Sequence, residues 1–157
     1  MRRLLVLLIL IPFCSQAQFS QQEINRFKSQ AKRVNIIRDK WGVPHIYGKS
    51  DADAVFGLMY AQCEENFKQV EENHLEMLGR LSEVYGERYF YQDLQMQLLY
   101  DTSAAIADYK KSPAWLKKLL DAYADGINYY LHTHPNVKPR LLKKFEPWFA
   151  LLRTDGS

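Results

Sequence analysis

Between residues 34 and 39 the side chains alternate, with Val34, Ile36 and Arg38 on one side of the chain and Asn35, Ile37 and Asp39 on the other. Together with the β-branched content, this period of two predicts a pleated, part-buried strand. Gly42 supplies the backbone freedom of a turn. Pro44 has no amide donor, so a second strand should start there or run along an edge. Elsewhere the period moves to that of a helix. Ile24 and Phe27 fall three apart on one face of a short lead-in helix over residues 20–32. Ser50, with Asp53 three residues on, is a helix-start signal. It precedes Val55, Leu58, Met59, Gln62, Cys63, Phe67 and Val70, the apolar face of a long helix. Gly79 and Gly86 bracket a short helix over residues 80–85. Asp93 opens a third pattern through Leu94, Leu98, Leu99, Ile106 and Tyr109, which Thr102 and Ser103 weaken. Ser112-Pro113 reads as a cap followed by proline at the first helical position. After it Trp115, Leu116, Leu119, Leu120, Tyr123, Ile127 and Leu131 form a well-defined amphipathic stripe that ends near residues 132–135. Glu146-Pro147-Trp148 begins a last helix.

The expected class is therefore α+β, a mostly helical fragment carrying one β-hairpin. Two strands are marginal as an independent sheet, so this hairpin should complete a sheet whose other strands lie elsewhere.

The ends and the composition narrow the picture. Met1-Arg2-Arg3, an apolar run over residues 4–13 and the small-residue end Ser15-Gln16-Ala17 form a secretory signal, with cleavage expected after Ala17. That run is too short to cross a bilayer as a helix. Cys14 could mark a lipoprotein, but Phe13 stands where a small residue is wanted. The domains are thus a signal peptide, 1–17, and one incomplete domain, 18–157, in a periplasmic or secreted protein. Cys63 is then the only remaining cysteine, so no internal disulfide forms, and its place in a helical pattern marks a small buried apolar residue. The net charge of +3 falls further when the signal leaves, which gives no electrostatic footprint for nucleic acid. The lysine pairs at 110–111, 117–118 and 143–144 read as solvated faces.

Several side chains could carry chemistry. His45, between Pro44 and Ile46, reads as a hydrogen-bonded, partly buried imidazole rather than a catalytic base, because nothing near it in sequence would orient it. Glu71 and His74 have the Glu-x-x-His spacing of di-iron bundles. No second pair occurs, so a solvated face is the default reading. His132 and His134 end a helix, where cationic imidazoles are favoured, and zinc would need further ligands. Tyr89, Tyr91, Tyr129 and Tyr130 could meet an apolar acyl group or pack against another chain.

Five patches add a different kind of information. Arg38-Asp39-Lys40-Trp41-Gly42-Val43-Pro44-His45-Ile46-Tyr47 is followed by Tyr60-Ala61-Gln62 with Gln69-Val70-Glu71, then by Leu78-Gly79-Arg80-Leu81-Ser82-Glu83-Val84-Tyr85-Gly86. Tyr123-Ala124-Asp125-Gly126-Ile127-Asn128 and Phe145-Glu146-Pro147-Trp148 complete the series. In this order the patches resemble the penicillin acylase (penicillin amidase) family over residues 34–149.

The resemblance implies an N-terminal-nucleophile hydrolase, a four-layer αββα sandwich shared by two chains cut from one precursor. It implies hydrolysis of a non-peptide C–N bond in a linear amide by a serine that opens the second, beta chain. That serine's own α-amino group acts as base, and preorganised donors hold the oxyanion. By this resemblance no catalytic, cofactor-binding or metal-ligating residue falls in the present chain, which alone should be inactive. The full-length protein has room for calcium. Its partners would be the beta chain and a small amide such as a β-lactam side chain, an acyl-homoserine lactone or a cyclic lipopeptide, with no nucleic acid and no membrane after signal cleavage. The chain departs from the family pattern at Glu64-Glu65-Asn66, where relatives carry an acid and then Asp-Arg, and at Phe149-Ala150-Leu151-Leu152. Gly156-Ser157 looks like a processing bond, but Thr154-Asp155-Gly156 reads as an ordinary turn in a longer coding sequence. The alternative is a stand-alone exported helical binding module without catalysis.

Overall fold

The computed structural model describes residues 18–152. The signal at 1–17, Cys14, and the Thr154-Asp155-Gly156-Ser157 segment lie outside the described residues. Helix α1, Gln21–Ala31, starts on a complete capping box, with the Ser20 hydroxyl accepting from the Glu23 amide and the Glu23 carboxylate accepting from the Ser20 amide. Strands β1, Val34–Arg38, and β2, Pro44–Gly48, pair antiparallel with Ile36 opposite Ile46. The turn between them is drawn together by one carboxylate. Asp39 Oδ1 accepts from the amides of Trp41 at 2.8 Å and Val43 at 3.0 Å, and Gly42 takes a φ of +83°.

Helix α2, Asp51–Met77, follows, capped by Ser50 as its sequence predicts. The helix is not continuous, because Asn66 leaves helical geometry (φ −160°, ψ 79°) and its Oδ1 accepts from the Gln69 amide at 3.1 Å. Asn66 thus ends one helical half and caps the next. Helix α3, Ser82–Tyr85, a 3-10 turn over Glu87–Tyr89, α4, Phe90–Leu99, and α5, Thr102–Lys111, follow before α6, Ala114–Thr133, which packs on α2. A 3-10 helix over Pro147–Leu152 closes the described chain.

Close approach between elements depends on small residues. A Cβ on Gly126 of α6 would lie 2.4 Å from the Phe56 carbonyl oxygen, so only glycine lets α6 touch the backbone of α2. A Cβ on Gly57 would lie 2.6 Å from Val34, so glycine again lets the hairpin lie flat on α2. Phe27, Cys63, Leu75, Ile127 and Phe145, all buried, form the core where α1, α2, α6 and the C-terminal loop meet. Two forked ion pairs tie α1 and its end to the body: Arg26 to Asp125 at 2.6 and 2.7 Å, and Arg33 to Asp53 at 2.8 Å.

Three expectations are corrected here. Asp93 does not open a helix, since α4 begins at Phe90. The Asp93 side chain is buried and accepts from the amides of Leu81 and Ser82, completing the start of α3 from a neighbouring element. The pattern that should run on to Tyr109 breaks at Tyr100, and α5 restarts with Asp101 as its cap. Ser112 does not cap α6: Pro113 occupies the cap position, and the Ser112 hydroxyl donates back to the Asp108 carbonyl. The α+β class itself holds, with helices dominating and one antiparallel hairpin.

Candidate functional site

Two candidate side chains lie together inside the fold. The second half of α2 directs Glu71 and His74 inward, where both are almost fully buried, against the expectation of a solvated face. The reason is a partner distant in sequence. The Glu71 carboxylate accepts from three successive backbone amides, Arg140, Leu141 and Leu142, at 2.9–3.0 Å. One buried anion thereby satisfies three donors of a loop that has no ladder of its own. His74 Nδ1 lies 2.7 Å from the Val70 carbonyl, which can only accept, so Nδ1 carries a proton. In the neutral ring Nε2 is then the acceptor for the Tyr123 hydroxyl at 2.9 Å. The Phe145 ring meets the imidazole edge to face at 4.9 Å. Glu71 and His74 therefore share a helix face but serve different partners. Among the described residues no three His, Cys, Asp or Glu side chains gather to hold a metal ion.

His74 and Tyr123 form one wall of an open cleft of about 590 Å3, with Leu58, Met59, Met77 and Tyr100 on its other sides. Both halves of the kinked α2 contribute, so the break at Asn66 sets the cleft's shape. The kink is braced from the hairpin, where the Arg38 guanidinium donates to Glu64 at 3.0 Å and also to Glu65. This helix segment is thus held by an arginine from β1 and by the Asn66 cap.

The other candidates are spread apart. His45 is exposed rather than partly buried, its Nε2 3.4 Å from Asp39 Oδ2 on the hairpin. Asp39 is held below the usual carboxylate range chiefly by the Trp41 amide. His132 and His134 end α6 as expected, and His134 stacks on Tyr130 with ring centroids 4.2 Å apart while its Nδ1 reaches the Tyr130 carbonyl. Tyr129 and Tyr130 belong to the packed interior, Tyr89 is half-buried, and Tyr91 stands in solvent. Burial pushes the Cys63 thiol up to about 12, so it is an inert core residue. Sequence reasoning missed Asp125 and Asn128. The Asn128 amide clasps the backbone of Phe145, donating to its carbonyl at 2.8 Å and accepting from its amide at 2.9 Å. The available signal was the pair of polar residues, Asp125 and Asn128, on either side of Gly126-Ile127.

The remaining surface is apolar where it is not expected to be. On the hairpin Ile37, Trp41, Val43 and Tyr47 are exposed, and so is a whole face of α4. No helix among the described residues is long and apolar enough to cross a membrane.

Comparison with known proteins gives this geometry a context. An acyl-homoserine lactone acylase, QuiP, of Pseudomonas fluorescens is 31% identical over 116 residues, covering 74% of this chain and 14% of that protein. The penicillin acylase 2 proenzyme of a Pseudomonas species is 31% identical over 124 residues, covering 75% of this chain and 16% of that protein. The chain thus spans 14–16% of the length of these relatives. A thermostable penicillin G acylase from Alcaligenes faecalis shares the fold, with a TM-score of 0.67 at 19% identity over 76% of this chain and 68% of that one. Residues 33–154 match the penicillin amidase model, and the protein belongs to the penicillin amidase family.

Proposed function

We propose that this chain is the alpha-chain part of an exported hydrolase that cleaves acyl amides, and that the nucleophilic serine is carried by a separate beta chain of the same precursor. The family match over residues 33–154 carries this reading. Coverage supports the division into chains. The shared stretch fills 68% of the solved penicillin G acylase chain but only 16% of the proenzyme, as a short separate chain of a large precursor would. The names of the relatives support the substrate class, an acyl group on a β-lactam amine or on homoserine lactone.

In this reading residues 18–152 contribute a scaffold and one wall of the substrate site rather than reacting atoms. The beta-chain serine would lose its proton to its own α-amino group, whose ordinary pKa of about 7.7–8.0 suits a base near neutral pH. Residues 1–17 would direct export. The test is expression of the complete coding sequence, followed by assays for amine release from an N-acyl homoserine lactone and from penicillin G. Hydrolysis by the full product, with none by 18–157 alone, is the expected result. A full product that releases neither amine defeats the proposal. In that case a monomeric 18–157 with a cooperative melt puts the stand-alone binding module in its place.

A further inference from the structure

Helix α4 is amphipathic the wrong way round for a surface helix. Three of its polar side chains reach back to its own chain, Gln95 being exposed: Asp93 accepts from the amides of Leu81 and Ser82, Gln97 donates to the Gly79 carbonyl at 2.9 Å, and Gln92 donates to Glu76 at 2.8 Å. Its apolar side chains, apart from the half-buried Met96, face away, with Phe90 54%, Tyr91 81%, Leu94 46%, Leu98 80% and Leu99 64% exposed. A helix normally buries its apolar stripe against the body that carries it, and contiguous apolar surface of this kind marks a contact site. From this inversion we infer that α4 is a docking helix whose outer face is covered by an apolar segment of the polypeptide that follows this chain in the same precursor. The inference rests on the two-chain reading above.

Two observations select that occupant. The matched stretch is 14–16% of the relatives' length, so most of the polypeptide in such proteins lies outside it, and the two-chain reading places it downstream. Residues 90–99 contain no lysine or arginine, whereas helices that lie on anionic membranes are rich in both. The patch also continues into a recess, because Tyr100, immediately after α4, lines the cleft with Leu58 and Met77.

The experiment uses the complete gene product with a photo-cross-linking p-benzoylphenylalanine at Leu98, and at Lys111 as a solvated control, with the linked peptides mapped by mass spectrometry. Cross-linking from position 98 to sequence downstream of residue 157, absent from position 111, is expected. Leu94→Glu with Leu98→Glu should lower the yield of assembled enzyme about ten-fold or more by placing charges in an apolar contact, while Leu98→Met retains it. Links only between two copies of α4, links only to lipid in phosphatidylglycerol vesicles, or full assembly of the double variant would each overturn the inference. Downstream cross-links in a product that hydrolyses no acyl amide would defeat the proposed activity and leave the docking helix standing. A processed, active enzyme with no link at position 98 would do the reverse.

Discussion

Helices α6 and α4 both carry an apolar stripe, and the fold treats the two in opposite ways. In α6 the stripe points inward, with Leu120, Ile127 and Leu131 buried against α2 and α1. In α4 the stripe points outward, and Asp93, Gln92 and Gln97 make the attachments. The difference teaches that periodicity reports the existence of a stripe but not the body that covers it. Inside this chain α6 is core, whereas α4 is held by hydrogen bonds that leave its hydrophobic area unused.

Substitutions at matched positions test that contrast directly. Ile127→Asp should have the largest effect, leaving 18–157 unfolded at room temperature, because a fully buried position would gain an unpaired charge at a cost of about 4 kcal/mol or more. Circular dichroism showing a native-like melt for this variant would mean that α6 is not the core element described. Glu71→Ala comes next at about 3 kcal/mol in urea unfolding, since three loop amides lose one charged acceptor. An unchanged midpoint would show that water serves those amides equally well. Asn128→Ala should cost about 2 kcal/mol by stranding the Phe145 backbone, read in the same titration. At the small end, Leu98→Ala on α4 should stay within about 0.5 kcal/mol of the parent. A loss approaching that of a buried leucine would show that α4 packs against its own chain and would dissolve the comparison.

Acid should loosen α1 before it affects α6. The Lys144 ammonium beside Glu23 lowers that carboxyl to about 2, from an ordinary 4.5. Arg33 likewise holds Asp53 low. A depressed folded-state pKa means that the folded form binds fewer protons, so this stability is complete above about pH 4.5 and is lost as pH falls toward 2. Asp125 works with the opposite sign, because burial raises it against the pull of Arg26, and its protonation in acid partly offsets the loss. Urea midpoints measured from pH 6 to 2.5 should therefore fall, and Glu23→Gln with Asp53→Asn should flatten the fall. An equally steep decline in that double variant would assign the acid sensitivity elsewhere.

Much of the fold was legible in advance where the signal was local. The lead-in helix, the Ser50 cap, the strand pair opening at Pro44 and the α6 stripe all come from residues within a few positions of one another. The errors share one cause. Asp93 looked like a cap for its own helix and serves α3, and Glu71 and His74 looked solvated and are buried. His45 looked enclosed and is open to solvent. In each case burial is decided by the other elements, which pack over Asp93, Glu71 and His74 and leave His45 uncovered.

By itself the sequence determined the order of helices and strands, the turn at Gly42, and membership in a family whose motifs lie in register along the chain. Caps, turns and periodicity arise from backbone geometry and nearest neighbours, so a linear string contains them. Only the tertiary structure decided that Glu71 would bind a loop some seventy residues away, that Asn128 would clasp Phe145, and that α4 would turn its apolar face outward. Burial depends on which distant atoms arrive to exclude water and supply hydrogen-bond partners, and no local pattern encodes that arrival.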